Sequence, residues 1–268
     1  MAKRNRQVLI VSALDPSGGA GLLLDRAVVE AEGAHACGVV TALTVQSASG
    51  LVRTRKVPAE LVMEQIATLE ADLGPFEVAK LGALGSPALA HALTGWAAKR
   101  PRLRLVIDPV SRPSRGRPSL VEGSVRTHRK ALRGLLTHTY LLTPNLPEAR
   151  WLLGLREDSA AAPEELATRL LELGPRAVLL KGGHAAGAQV ADLLAEQSGK
   201  RRLLTHPRKR GEFHGTGCYL ASAITANLSL GKSLTSALEH ASASLERAMK
   251  NARPVGAAGV RQLRPATK

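Results

Sequence analysis

Short apolar runs alternate with amphipathic stretches along nearly the whole chain, and most of the runs stop at a polar or glycine-rich turn. The first run, residues 7–13, breaks into Leu14-Asp15-Pro16-Ser17-Gly18-Gly19-Ala20-Gly21, and helical spacing follows over 22–32 until Gly33. Runs this short and this apolar predict strands covered on both faces. Asp, Pro, Ser and Gly at their ends predict turns. Further strands are predicted over 36–45, 52–57, 78–84, 103–107, 140–142 and 177–180. Helices are predicted over 59–73, 87–99, 121–135, 163–173, 216–230 and 234–251. Residues 190–195 and 202–206 have the pattern of a β-hairpin. This order predicts an α/β fold: a single doubly wound, mostly parallel sheet with helices on both faces. One domain is expected to span residues 1–268, with a basic tail of no clear pattern from about residue 253.

Composition narrows the function classes. Apolar residues make up 44% of the chain, enough for a full core, while aromatics are only 2%, too few to build base-stacking platforms. The net charge of +15 attracts phosphate. The basic residues are dispersed, though, and read as a solvated surface, so a nucleic-acid partner is not expected. Cys37 and Cys218 make neither a disulfide framework nor a zinc site, which points to a reducing cytoplasm. No apolar stretch is long enough to span a bilayer. Gly231-Lys232-Ser233 resembles the end of a phosphate loop but lacks the earlier glycine, Ala226 standing there, and lies between two helices.

Six polar residues fall at or just after the C-terminal ends of predicted strands: Asp15, Gln46, Asp108, Asn145, Lys181 and Cys218. Open α/β sheets bind their ligands at that rim. Gln46 can read the donors and acceptors of a heterocycle. Lys181, followed by two glycines, can reach a phosphate. Asn145 and Glu148 share the start of a helix, where they either hold a hydrated Mg²⁺ or form a capping box. Residues 112–119, rich in Arg, Ser and Pro, read as a lid over an anionic ligand. The stretch His214-Gly215-Thr216-Gly217-Cys218 precedes a helix, so it is either an anion site built from backbone N–H groups and the helix dipole or a glycine turn capping an ordinary helix with Cys218 as a small buried hydrophobe. Cys218 at such a terminus is expected to have a lowered pKa and to act as nucleophile or base.

Laid side by side, these motifs resemble the hydroxymethylpyrimidine/phosphomethylpyrimidine kinases of thiamine synthesis, in the ribokinase-like superfamily. DPSGGAG at 15–21, TALTVQ at 41–46, IDPV at 107–110, TPNLPEA at 143–149, KGGH at 181–184 and HGTGC at 214–218 match in the family's order. The resemblance implies ATP-dependent phosphorylation, with Mg²⁺, of a pyrimidine's hydroxymethyl group and then of the monophosphate. It implies an anion hole at Gly215, Thr216 and Gly217, with Cys218 as base or orienter of the hydroxyl. Lys181, Asp108 and Asn145 would serve the ATP phosphates, with Glu148 and Asn145 at the metal. Gln46, Asp15, Gly19, Asp25, Ala83 and Val110 would line the acceptor pocket, and a homodimer is implied. The chain departs from the family at Ala13-Leu14, Leu23-Leu24, Ala83 and Phe213, all of them expected on the pocket side. Pyridoxal or pyridoxine phosphorylation is therefore a second expectation, and a catalytically weak binding protein on the same fold a third.

Overall fold

A computed structural model of the chain describes residues 6–110, 124–183, 188–257 and 259–265. The expected lid at 112–119 and His184 lie outside them. The strands and helices run β1 (Gln7–Leu14), α1 (Gly21–Glu32), β2 (His35–Ser47), β3 (Gly50–Lys56), α2 (Ala59–Leu73), β4 (Val78–Leu81), α3 (Pro87–Ala98), β5 (Arg104–Ile107), α4 (Val125–Leu136) and β6 (Leu141–Leu142). They continue with α5 (Leu146–Leu153), α6 (Pro163–Leu171), β7 (Ala177–Leu180), β8 (Gln189–Glu196), β9 (Arg201–Pro207), β10 (Phe213–His214), α7 (Thr216–Ser229), α8 (Leu234–Lys250), β11 (Arg253–Val255) and β12 (Val260–Gln262).

Nine strands form one sheet in the order β3-β2-β1-β4-β5-β6-β7-β8-β9. From β2 to β7 every neighbouring pair is parallel. β3 is antiparallel on one edge, and the hairpin β8–β9 is antiparallel on the other. The expected α/β sheet with helices on both faces is thus present. Side-chain alternation along the strands shows both faces at work. Leu9 and Val11 of β1 join a core with α2, α3 and α4 residues, whereas Val8 and Ile10 pack with Leu22 and Val29 of α1. Leu105 and Ile107 of β5 face that first core, while Val106 faces α7 and α8. Each of these fully buried aliphatic side chains contributes roughly 1.5–3 kcal/mol, which is why the runs read as continuously apolar.

Helix ends follow local chemistry. Gly33 closes α1 in the left-handed region (φ 94°), its N–H reaching the carbonyls of Val29 and Glu30. Ser86 and Ser124 cap α3 and α4 by accepting from Leu89 and Thr127 N–H groups. One region departs from expectation. The patternless tail contains β11 and β12, which join β10 in a second sheet of three strands, β10-β12-β11. These strands are two or three residues long, below the length at which periodicity can be read from sequence.

β1 leads over α1 to β2 on one side, while β4 occupies its other edge. The strand order therefore reverses between β1 and β4, and a crevice opens beyond the C-terminal ends of the strands there.

Candidate active site

A cleft of about 650 Å³ lies along this rim. It is lined by Asp15, Gln46, Ala83, Asp108, Val110, Asn145, Glu148, Lys181 and residues 215–218, so twelve of the fourteen residues expected at the site meet in one space. The exceptions are Gly19 and Asp25.

The floor of the cleft is the N-terminus of α7. Gly215 is its N-cap, in the left-handed region (φ 79°, ψ 14°), and no side chain caps the helix. A Cβ on Gly215 would lie 2.1 Å from the Gly19 carbonyl oxygen. Only glycine fits both the conformation and that approach. The first N–H groups of α7 are thereby left for an anion. A Cβ on Gly217 would lie 2.8 Å from Lys181 Nζ, so the missing side chain is what lets the ammonium reach the helix terminus.

Lys181 leaves the end of β7 and binds Asp108, at the end of β5, at 2.8 Å. Thr143 also donates to Asp108, at 3.4 Å. Burial works against the charged form of Lys181. Asp108 and Glu148 outweigh it and hold the ammonium above the ordinary lysine pKa. Burial likewise opposes ionisation of Asp108, but Lys181 and Lys80 keep it below the usual carboxylate range. Asn145 and Glu148 form the capping box of α5. Asn145 Oδ1 accepts from Glu148 N–H at 2.8 Å, and Glu148 Oε2 accepts from Asn145 N–H at 2.8 Å. The Glu148 carboxyl is pushed up to about 7, first by burial; Lys181 opposes the shift and Asp108 adds to it.

At the other end of the cleft, His214 Nε2 lies 3.1 Å from Asp15 Oδ2 and 3.4 Å from Gln46 Nε2. Burial would raise the Asp15 carboxyl, yet hydrogen bonds from His214 and Ser17 hold it below its ordinary value. Ala13, Ala42, Leu51 and Ala83 form a small apolar wall beside this group, with Val110 against it. The cleft thus has a cationic, anion-binding end and an end with a flat amide, an imidazole and an apolar wall.

The phosphomethylpyrimidine kinase family profile matches residues 15–262. The chain belongs to this family. It is a phosphotransferase of the hydroxymethylpyrimidine/phosphomethylpyrimidine kinase type. Over 252 residues it is 33% identical to the hydroxymethylpyrimidine/phosphomethylpyrimidine kinase of Mycobacterium bovis, a match covering 93% of this chain and 90% of that protein. It is 34% identical to the thiamine biosynthesis bifunctional protein of Geobacter sulfurreducens, covering 93% of this chain but only half of that longer protein. Among solved structures, the pyridoxal kinase of Staphylococcus aureus with AMP-PCP and pyridoxal superposes with a TM-score of 0.83 at 26% identity, covering 96% of this chain and 92% of that one. The phosphomethylpyrimidine kinase of Clostridium difficile 630 gives 0.76 at 28% identity, covering 91% and 99%.

Three expectations for this kinase change with its structure. Asp25 is fully buried and does not line the cleft. It sits on the inner face of α1, bound to Lys80 Nζ of β4 at 2.5 Å and to Ser222 Oγ of α7 at 2.8 Å. Gly19 is absent from the lining too, and serves by leaving room, since its Cβ would lie 2.3 Å from the His214 ring. Cys218 does not have a lowered pKa. Burial raises it first, and Asp108 and Asp25 add to the rise against the pull of Lys80 and Lys181. Cys218 is therefore a thiol beside the Asp108 carboxylate, not a thiolate.

His214 is read from sequence only as part of the stretch 214–218, with no role for its side chain, and Lys80 is not singled out. Lys80 carried a readable signal, a lone charge inside the apolar run Val78-Ala79-Lys80-Leu81, because a lysine in a fully covered strand requires a buried partner. Of the pocket departures, Leu23 is 42% exposed and lies outside the cleft lining, whereas Leu24 packs on Gly215.

Proposed function

We propose that this kinase transfers the γ-phosphoryl group of ATP to the hydroxymethyl oxygen of 4-amino-5-hydroxymethyl-2-methylpyrimidine and then to the resulting monophosphate. The observation that carries this reading is the uncapped start of α7, with the Lys181–Asp108 pair on one side and the Asp15–His214–Gln46 group on the other. Gln46 and His214 would read the ring's amino group and nitrogens, with Asp15 fixing the imidazole. Ala83 and Val110 would contact its apolar face. The acceptor oxygen attacks Pγ, the bond from Pγ to the bridging oxygen breaks, and ADP leaves. The N–H groups at Thr216, Gly217 and Cys218, with Lys181 and the Asn145 amide, would hold the phosphoryl oxygens during transfer.

Cys218 lines the cleft at the start of α7, where its sulfur lone pairs can accept from the hydroxymethyl O–H. We assign Cys218 the role of orienting that hydroxyl, whose proton passes to an oxygen of the transferred phosphoryl group as the new P–O bond forms. Among the described residues no three His, Cys, Asp or Glu side chains gather as a metal cage. The residues still suit Mg²⁺, which keeps several waters and needs only one or two carboxylates beside the phosphates. Glu148 would hold it through the oxygen not used in the capping box. Asn145 Oδ1 is committed to that box, so Asn145 fits a phosphate better than the metal. Bound Mg²⁺ would neutralise charge on the phosphates.

Replacing Cys218 with Ala is expected to lower kcat by on the order of 10²-fold with an unchanged melting temperature, as for a lost orienting contact. Near-normal turnover would remove the thiol from the reaction. The whole reading is tested by a coupled ADP-release assay with the hydroxymethylpyrimidine, its monophosphate and pyridoxal. Turnover of both pyrimidines is expected. The close superposition on a pyridoxal kinase makes pyridoxal the second candidate, and its exclusive turnover would replace the first. No turnover, with salt-steep nucleic-acid binding, would make the chain a binding protein.

The chain is further proposed to act as one kinase domain in the cytoplasm, as a homodimer without a nucleic-acid partner. Among the described residues no helix is long and apolar enough to cross a membrane.

A further inference from the structure

The strand that carries His214 does not belong to the nine-stranded sheet. β10 is only Phe213–His214. Its backbone partner is β12, with Phe213 opposite Arg261 and His214 opposite Gln262. Arg261 N–H extends the pairing to the Glu212 carbonyl at 2.9 Å. The segment leading into the anion hole is thus held by chain from the far C-terminus.

Gln262 carries the connection further. Its Nε2 donates to the Ser17 carbonyl at 3.0 Å. Ser17 N–H in turn donates to Asp15 Oδ1 at 2.9 Å, and Asp15 Oδ2 meets His214 Nε2 at 3.1 Å. Asp15, Ser17, Gln262 and His214 therefore close a ring of contacts around the bare backbone of Gly19, where a Cβ would come within 3.1 Å of Gln262 Nε2. The strand is anchored in turn by Val260 and Leu263, only 2% and 5% exposed, with Leu263 in the core beneath α7 and α8.

We infer that β12 is a clamp for the acceptor end of the cleft, and that Gln262 is a positioning residue which fixes the loop after β1 against His214. It touches neither of the groups assigned to ATP. Its loss should loosen the Asp15–His214 pair and leave the Lys181–Asp108 end as it is. The inference rests on the acceptor site proposed above, so its test includes a readout that needs no substrate.

In Gln262→Leu, which keeps bulk but removes the donor, the KM for the hydroxymethylpyrimidine should rise roughly five-fold, as expected for one lost neutral hydrogen bond, with the KM for ATP unchanged. Amide hydrogen exchange should quicken at residues 17–21 and 213–218 and stay the same in β4 to β7. Gln262→Glu, which sets a carboxylate against the Ser17 carbonyl, should act in the same direction. Unchanged acceptor KM and unchanged exchange would overturn the clamp. So would a rise in both KM values with faster exchange throughout the main sheet, which marks a general loss of stability. If the wild-type protein does not phosphorylate the pyrimidine, the acceptor assignment falls, and exchange alone then decides for or against the clamp.

Discussion

Lys181→Met is expected to lower kcat/KM by on the order of 10²–10³-fold, the usual effect of deleting one preorganised charge from a transfer site. Lys181 brings its ammonium to the start of α7, where the absence of a side chain on Gly217 lets it stand. Its removal takes a positive charge from the path of the phosphoryl group. It also leaves Asp108, which is 1% exposed, without its closest counter-ion. The single variant therefore loses stability as well as rate. Adding Asp108→Asn separates the two effects: the double variant should regain most of the melting temperature but little of the rate. Recovery of both would mean that Lys181 only supports the fold.

Lys80→Met should produce the largest stability loss in the chain. Lys80 and Asp25 are both fully buried and 2.5 Å apart. Burial disfavours the Lys80 ammonium, and Asp25 holds it charged above the ordinary lysine pKa. Breaking such a pair by removing one partner costs about 3–5 kcal/mol, because the remaining charge is buried without compensation. For a chain of this size that corresponds to a fall of roughly 6–20 °C in the melting temperature. The loss should depend on pH with a definite sign. An orphaned, buried Asp25 has a folded-state pKa above its unfolded value, so the variant is least stable at high pH and recovers as pH falls and the carboxyl takes a proton. Asp25→Asn added to Lys80→Met should restore part of the loss at neutral pH. A melting temperature equal to that of the wild type would show that the pair is not formed in solution. Because Asp25 also holds Ser222, one turn beyond Cys218 on α7, the single variant should lose activity too.

Much of this molecule is legible in its sequence for a simple reason. Central strands covered on both faces are nearly continuous apolar runs bounded by turn chemistry, so the order and approximate limits of β1 and β4 to β7 follow from the runs, while the exposed edge strands β3 and β9 show through their alternation. The same reasoning places Asp15, Gln46, Asp108, Asn145 and Lys181 at one rim, at or just past the ends of their strands, while Cys218 reaches that rim on α7. What failed was any inference that depended on the neighbours of a side chain. Asp25, expected in the pocket, turns inward because its position on α1 faces β4, where Lys80 awaits it. Asn145 and Glu148 allowed a metal pair or a capping box from spacing alone. The backbone of α5 takes up both side chains, leaving one Glu148 oxygen over.

Cys218 marks the boundary most clearly. That it sits at the start of a helix, after two glycines, is a local property of five residues, and the sequence by itself determines it. Whether it is a thiol or a thiolate depends on Asp108 and Asp25, which are 110 and 193 positions away in the chain. The helix dipole alone would lower its pKa. Burial reverses the sign first, and those two carboxylates add to it against the pull of Lys80 and Lys181. In the same way, the glycines announced an anion hole, but only the folded chain brings β12 and Gln262 around to hold it. Periodicity and turn chemistry act within a few residues and can be read along the chain. Charge and hydrogen bonding act through space, so their outcome is decided only when the sheet, α7 and the C-terminal strand are brought together.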